Sequence, residues 1–473
     1  YQETLREKNL VDFGDMTRLA VRALEKLPES RGFYQHLYRY VLVDEWQDVS
    51  RAQYRLVRLL VGRESDLFVV GDPLQSIYGW RGADPAVFTA LGRDFPALRE
   101  LQLRVNYRNT EAIAAASEGV VRALGLPPRD LVAQGGAGDP LALVRCDTER
   151  DEALRVAEGI ARLVGAGECG YNGCAVLVRT VRQARLIEQA LLRAHVPYNL
   201  AGYRSFFETH AVRELVAWLR LAADPFDEGA LEAALNAPPR GLGKATREQL
   251  RGGAFRLTME ALLVAPERDD LRERARQAVA EFLAMVDDVH AQRDEPPVQL
   301  LDTVLKRTGY AAWLRKAGNG NGNGNGHDPN GMVALDFPAS EEAGAVHNLR
   351  LMLQGYRGED GLARFLRDIE EMQAQPDGME GVFLGTIHAA KGLEWPVVFL
   401  PGLDEGILPH ARSLLDKKRL EEEHRLFYVA LTRAMRKVVL LGARYRTNAR
   451  RDAWECRPSR FLGYLPPETV RRE

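Results

Sequence analysis

Two acidic side chains close an apolar run near the start of the chain. Tyr40–Val43 is followed at once by Asp44 and Glu45, which open the string Asp-Glu-Trp-Gln-Asp. In nucleotide hydrolases Mg²⁺ and phosphates meet at the end of a parallel strand. There one carboxylate can hold the cation, and its neighbour can orient and deprotonate an attacking water. The pattern permits phosphate chemistry, although two acids after a strand also occur by chance.

A second apolar run leads into a loop that is rich in glycine. Leu67–Val70 precedes Gly71–Gly82, where Gln75 is a neutral polar group suited to contact a γ-phosphate. Trp80 stands beside Arg81, and an aromatic face next to a cation can stack on single-stranded nucleic acid. A tryptophan is also a common core residue. The flanking glycines favour a loop and therefore the binding interpretation.

These side chains need a sheet to position them, and the pattern of apolar runs predicts one. Short β-rich runs followed by helix-period segments indicate α/β units around a buried parallel sheet. From about 210 to 375 strand patterns give way to helical ones such as Leu271–His290 and Glu341–Leu353. An all-α block inside an α/β series predicts an inserted domain. The six runs are Tyr40–Val43, Leu67–Val70, Leu141–Val144, Ala175–Val178, Val397–Leu400 and Val438–Leu441.

Composition excludes several classes of protein. The chain has 473 residues, enough for about three domains, and no apolar run long enough to span a bilayer. Its net charge of −2 means that a polyanion must be held by local patches. Four cysteines are too few for a disulfide scaffold and fit a reducing compartment. Cys169 and Cys174 have no further ligand pair at zinc spacing, so free thiols are favoured over a zinc site.

Six ordered motifs extend over nearly the whole chain. The first two are the strings around Asp44 and Gln75, and the others are Asn106–Arg108, Phe206–Glu208, Gly385–Trp395 and Tyr428–Ala434. Together they resemble the motifs of superfamily 1 DNA helicases of the UvrD/PcrA/Rep type. The resemblance implies two RecA-like P-loop NTPase-type motor domains with parallel sheets, the second interrupted by a mostly α-helical insert, and ATP between them.

The resemblance also implies four segments along the chain. Residues 1–104 correspond to the C-terminal part of the first motor domain. Residues 105–222 and 380–473 correspond to the two segments of the second motor domain. The helical insert then covers residues 223–379. This division agrees with the helical interruption that the residue pattern itself indicates.

Roles at the nucleotide follow from the resemblance, position by position. Asp44 would hold Mg²⁺, Glu45 would act as the catalytic base, and Gln75 would link the γ-phosphate to the DNA contacts. Two arginines would reach the γ-phosphate, because the guanidinium is planar and permanently charged. The further matching positions are Arg108 and Arg433 for those arginines, Tyr107 for the adenine, Glu394 for the ribose, and Gly392 within the nucleotide site.

Contacts to DNA are expected from a second group of residues. Trp80, Arg81 and Phe207 are the candidates for aromatic and cationic contacts to bases, and Thr386 and His388 for contacts to the strand. A lone histidine in an apolar stretch is often a structural group, so that alternative stays open for His388.

The implied activity is that of an ATP-dependent 3′–5′ helicase or translocase. It would use ATP and Mg²⁺, act on single-stranded and forked duplex DNA without a membrane, and serve repair or recombination in the cytoplasm. However, the phosphate-binding pattern G-x-x-x-x-G-K-[ST] is absent from the 473 residues. We therefore expect that loop upstream of Tyr1, and no hydrolysis by the chain alone. The alternative is a non-catalytic single-stranded DNA-binding or regulatory module.

Overall fold

The N-terminal part of the chain combines five helices with a small sheet. The computed structural model describes residues 1–473 except 63–64, 202–206, 208, 319–340, 359, 374–379 and 448–452. Strands β1 (Tyr40–Val43) and β2 (Asp66–Val69) pair in parallel, with Tyr40 opposite Asp66. The helices are α1 (Gln2–Glu7), α2 (Phe13–Lys26), α3 (Pro28–Leu37), α4 (Arg51–Leu60) and α5 (Ala86–Asp94).

One face of this small sheet is packed and the other is open. Trp46 and Tyr54 lie in a core that also receives Val43 and Val69 from the strands. On the opposite face Tyr40 and Leu42 are 73% and 71% exposed. Parallel strands are normally covered on both faces. Among the described residues nothing covers this second face.

The second sheet is larger and carries the rest of the predicted site. Its seven parallel strands follow the order β12-β5-β10-β9-β6-β8-β7, and β11 pairs antiparallel with β10. A separate short pair is formed by β3 (Val105–Asn106) and β4 (Val132–Ala133). The strands of the large sheet are β5 (Leu141–Thr148), β6 (Cys174–Val178), β7 (Tyr198–Ala201), β8 (Val382–Thr386), β9 (Trp395–Leu400), β10 (Ala434–Thr447), β11 (Ala453–Glu455) and β12 (Val470–Arg472).

Helices cover this sheet on both sides, so its central strands are apolar throughout. Every residue of β6 is buried, as expected for a parallel strand between two layers of helices. Thr148 and Thr180 begin α7 and α8 with capping boxes, in which side chain and backbone satisfy each other's hydrogen bonds. The helices of this part are α6 (Glu111–Ala123), α7 (Glu149–Gly165) and α8 (Val181–Arg193).

A helical block separates the two groups of strands in the sequence. Its core includes the fully buried rings of Trp218, Phe282 and Phe365. Within the described residues between 209 and 373 no strand occurs. The helices are α9 (His210–Ala223), α10 (Glu228–Ala234), α11 (Lys244–Arg251), α12 (Met259–Val264), α13 (Glu273–His290), α14 (Pro297–Arg307), α15 (Tyr310–Gly318), α16 (Glu341–Leu353) and α17 (Gly361–Gln373); α18 (Lys417–Leu431) then follows β9.

The predicted fold class is confirmed. All six predicted runs coincide with strands, with Val70 one residue beyond β2. The strands β5 to β7 before the helical block and β8 to β12 after it belong to one sheet. The limits 1–104, 105–222, 223–379 and 380–473 remain predictions. In the part of the chain that the structure describes, no helix has the length and apolar character of a membrane span.

Candidate functional site

Glu45 lies directly beyond the end of β1 in a constrained conformation. Its φ of 53° falls in the left-handed region, which side chains other than glycine seldom adopt. Gln47 donates a side-chain hydrogen bond to the Glu45 carboxylate, and the Glu45 carbonyl accepts from the Asp48 amide at 2.9 Å. Strained backbone of this kind collects at functional sites. The local fold thus fixes this carboxylate relative to the strand.

Lys391 joins these acids to the large sheet. It follows β8, and its Nζ donates to Asp48 Oδ2 at 2.6 Å and to the Gln75 carbonyl oxygen at 2.9 Å. Glu45 Oε2 lies 3.5 Å from the same nitrogen. The Lys391 side chain is only 6% exposed, so water screens these contacts weakly.

Lys391 was not assigned a role from the sequence, although it lies inside the motif Gly385–Trp395. The sequence signal that could have found it is a lysine on a glycine-containing turn directly after a buried strand. Its partners could not be inferred, because Asp48 is 343 residues away in the chain.

Arg433 lies between α18 and β10 and is buried. Its Nε donates to the Val429 carbonyl and its Nη1 to the Leu393 carbonyl, both at 3.1 Å. Burial, with the nearby Arg108 charge acting in the same direction, lowers the pKa of Arg433 to about 10, and the Glu394 and Glu45 carboxylates oppose this shift. Arg433 is therefore still a cation at neutral pH. Glu45 of the N-terminal part is near enough to influence that pKa, and we call the region around Glu45, Lys391 and Arg433 the cleft.

Arg108 and Glu394 are paired with each other. Arg108 Nε donates to the Glu394 carboxylate, although the two residues are 286 positions apart. Gly392 has a φ of +84°, which favours glycine and forms the turn that delivers Glu394 to the start of β9. Tyr107 is exposed beside this pair, so its ring is free to receive a flat ligand.

Asp44 and Gln75 complete the cleft. Asp44 is exposed, and its Oδ1 accepts a hydrogen bond from the Glu45 amide at 2.8 Å. Gln75 donates its side-chain amide to Asp72 Oδ2 at 3.1 Å. No cluster of three His, Cys, Asp or Glu side chains suited to a metal occurs in the described residues. Mg²⁺ commonly takes one or two carboxylates plus phosphate oxygens, so Asp44 with Glu45 fits that donor set.

Four of the predicted DNA contacts line one cavity. The cavity has a volume of about 1570 Å³ and is bordered by Trp80, Arg81, Thr386 and His388. Trp80 is 67% exposed, and the Arg81 guanidinium carbon lies 4.7 Å from the centre of its ring. Further cations border the same cavity, namely Arg51, Arg179, Arg412, Lys418, Arg419 and Arg425.

Tyr78 connects this cavity to the acidic cleft. Its hydroxyl donates to the His388 carbonyl at 2.9 Å, and Lys391 Nζ lies 5.2 Å from the centre of its ring. Burial lowers the pKa of His388 to about 4, with the Arg179 and Arg81 charges acting in the same direction. His388 is therefore neutral at neutral pH, and it can exchange hydrogen bonds without adding charge to the cavity.

The expectation for Phe207 needs correction. Its ring is 4% exposed and packs in the core of the helical block with Ala211 and Leu215. A ring in that position faces side chains of its own chain and is not presented to a base. An aromatic residue in a recognised motif predicted a contact to DNA, but hydrophobic burial accounts for this one.

Comparison with known proteins gives consistent matches. The UvrD/REP helicase N-terminal domain family matches residues 1–96, and the UvrD-like helicase C-terminal domain family matches residues 101–268 and 345–444. The ATP-dependent DNA helicase PcrA of Leuconostoc citreum is 34% identical over 487 residues, and that of Bacillus subtilis is 32% identical over 476. The ATP-dependent DNA helicase UvrD1 of Mycobacterium leprae is 34% identical over 496 residues. These matches cover 99% of this chain and 63–64% of the relatives.

Proposed function

Because the chain belongs to the UvrD/REP helicase family, we propose that it forms motor domains of an ATP-dependent DNA helicase. The observation that carries the proposal is the cleft where Glu45, Lys391 and Arg433 meet. The acids belong to the N-terminal part and the cations to the part that contains the large sheet. The cleft can therefore bind a triphosphate from both sides and promote its hydrolysis.

In that cleft each side chain has a defined task. The Asp44 carboxylate would hold Mg²⁺, which when bound would neutralise charge on the phosphates of ATP. Glu45 takes a proton from the attacking water, since its carboxylate is fixed by Gln47. The carbonyls of Val429 and Leu393 fix the Arg433 guanidinium, and a preoriented cation of this kind stabilises charge that develops on the phosphate.

Arg108 has to change partners during the cycle. It is paired with Glu394, the candidate for the ribose contact. A ribose whose hydroxyls donate hydrogen bonds to the Glu394 carboxylate would compete with Arg108 and release its guanidinium toward the phosphates. The Arg108 guanidinium would thus reach the phosphates only after the ribose has bound at Glu394.

The neighbouring cavity would hold single-stranded DNA. Bases would stack on the exposed ring of Trp80, and the surrounding arginines would neutralise phosphates. Thr386 and His388 offer neutral hydrogen-bonding groups to the strand. Tyr78 and Lys391 lie between the two sites, so they would transmit cleft closure to the DNA.

The experiment separates binding from hydrolysis. The 473-residue chain is expected to bind single-stranded DNA and to show only background ATPase, because it contains no G-x-x-x-x-G-K-[ST] pattern. A chimera that supplies such a loop ahead of residue 1 should gain DNA-stimulated ATPase. DNA binding without any ATPase in the chimera would support the non-catalytic binding module. Loss of DNA binding in both would overturn the proposal.

Polarity and substrate are tested with the active chimera. We propose 3′ to 5′ movement on single-stranded and forked duplex DNA, as part of repair or recombination in the cytoplasm. The family match supports the proposal, and the cavity bordered by Trp80 and several cations supports the single-stranded DNA substrate. A duplex with a 3′ single-stranded tail should be unwound faster than one with a 5′ tail; the reverse preference would overturn the assigned direction.

A further inference from the structure

Two of the four cysteines face each other on the large sheet. Cys169 Sγ and Cys174 Sγ lie 3.4 Å apart, and all four cysteines are free thiols. The other two cysteines, Cys146 and Cys456, are buried. Neither cysteine of the pair takes part in the proposed nucleotide or DNA sites.

The two thiols differ in how firmly they are held. Cys174 is the first residue of β6 and is fully buried, so its position is fixed by the sheet. Cys169 lies in the turn between α7 and β6 and is partly exposed. That turn contains Gly167 with a φ of +72°, and Gly170 and Gly173 follow it. A turn built from glycines can bring Cys169 the remaining distance, since a disulfide needs an S–S length of about 2.05 Å.

We propose that Cys169 and Cys174 are an oxidation site that forms a reversible intramolecular disulfide by exchange with a low-molecular-weight disulfide. The Cys169 thiolate attacks one sulfur of that disulfide and expels the first small thiol. The Cys174 thiol then loses its proton and attacks Cys169, which forms the internal S–S bond and expels the second small thiol. Two S–H bonds are lost and the small disulfide is reduced to two thiols, so atoms and electrons balance.

The location of the site gives the bond a structural consequence. Gly173 packs beside Pro396, since a Cβ added at Gly173 would lie 3.5 Å from Pro396 Cγ. Pro396 is in β9, two residues after Glu394. Glu168, next to Cys169, also pairs with Lys437 of β10 at 3.0 Å. The disulfide would therefore stiffen a turn that supports the strands behind the nucleotide cleft.

The test counts thiols in the folded chain. Four thiols should titrate in the reduced, unfolded chain, and only two after the folded chain has been treated with oxidised glutathione and then unfolded. The oxidised chain should be lighter by about 2 Da, and a reductant should restore all four thiols. Chymotrypsin cleaves after Tyr171, between the two cysteines, so the bond should hold the two resulting peptides together until reduction.

Variants make the assignment specific. Cys169→Ser and Cys174→Ser should each abolish the internal bond, whereas Cys146→Ser and Cys456→Ser should leave it intact. Burial and the neighbouring Cys169 raise the pKa of the Cys174 thiol, so bond formation should accelerate from pH 7 to pH 9. Four remaining thiols at both pH values, a stable glutathione adduct on Cys169, or a bond to Cys146 or Cys456 would each overturn the proposal. None of these measurements depends on ATP turnover.

Discussion

The large sheet and the small β1–β2 sheet differ in how completely helices cover their faces. In the large sheet the central strand β6 is buried throughout, with helices on both faces. In the small sheet β1 and β2 bury one face, and Tyr40, Leu42 and Phe68 are exposed on the other. Parallel strands gain most of their stability from cover on both faces. The large sheet, which is covered on both faces, is therefore the structural framework. The small sheet, which is covered on one face, carries the acids.

Because the small sheet is covered on one face only, contacts between the N-terminal part and the large-sheet part are important for the position of its acids. Glu45 and Asp48 extend from the small sheet, yet Lys391 from the large sheet holds both of them. Arg425 of α18 also donates to the Ser76 carbonyl at 2.8 Å. Contacts to the large-sheet part across the cleft thus help to fix the loops that carry Glu45 and Asp48.

The largest effect is expected at Glu45, the proposed catalytic base. In a form that hydrolyses ATP, Glu45→Gln should lower kcat by about 10²- to 10⁴-fold while ATP affinity is kept. The substitution removes the catalytic base but keeps the size and shape of the side chain. Steady-state ATPase with a nucleotide-binding titration measures both quantities. The exposed Glu29→Gln in α3 is the matched control and should stay near the unsubstituted protein. A rate within twofold of normal for Glu45→Gln would remove Glu45 from the role of base.

Stability should distinguish the two sheets directly. Leu177→Ala in β6 removes a fully buried side chain and should cost about 2–5 kcal/mol in the free energy of unfolding. Leu42→Ala in β1 removes an exposed one and should change it by less than about 0.5 kcal/mol. Urea denaturation of the two variants makes the comparison. A cost for Leu42→Ala as large as that for Leu177→Ala would show that the open face is covered in solution.

Trp80 tests the surface that links the two parts. Trp80→Ala should weaken binding to single-stranded DNA by about 1–3 kcal/mol, or roughly 5- to 150-fold, because a stacking partner for bases is lost. Trp454→Ala in β11 is the control, since Trp454 is partly exposed and does not border the cavity. Fluorescence anisotropy with a labelled oligonucleotide reports both affinities. Equal affinities would return Trp80 to a structural role.

The smallest effect concerns pH. The folded pKa of His388 is about 4, below its ordinary value of 6.5, so the folded state resists protonation. Its contribution to stability is complete above pH 6.5 and is lost as the pH falls toward 4. Between pH 7 and pH 4.5 the parent chain should lose about 1–3 kcal/mol more than His388→Asn. Because burial also lowers the pKa values of His410 and His424, only the difference between the two proteins isolates His388. Parallel pH profiles would contradict the burial of a neutral imidazole.

Local sequence predicted β5, β6, β9 and β10, four of the seven parallel strands of the framework. The apolar runs that predicted strands, such as Ala175–Val178, are short, β-rich and bounded by turn residues, and these properties act within a few residues of each other. The strands β7, β8 and β12 were not among the predicted runs, and in β7 Asn199 interrupts the apolar pattern. Periodicity likewise predicted the helical block and placed α16 at Glu341–Leu353.

The site required information that local patterns lack. The motif frame selected Glu45 and Arg433, which would otherwise be one acid and one arginine among many. Lys391 and Tyr78 were not assigned, because their roles depend on contacts to residues more than 300 positions away. Phe207 was assigned to DNA because residue type alone does not report burial. Long-range packing thus decides which motif residues face a ligand.

Zero-length carbodiimide coupling tests the convergence of the two parts most directly. Lys391 Nζ and Asp48 Oδ2 are 2.6 Å apart, so an amide bond should join their peptides and disappear in Lys391→Arg. The pair Lys437–Glu168, at 3.0 Å, is an internal positive control for the reagent. Mass spectrometry should find both links in the parent chain. A Lys437–Glu168 link without any link from Lys391 to Asp48 or Glu45 would contradict the shared cleft and with it the motor.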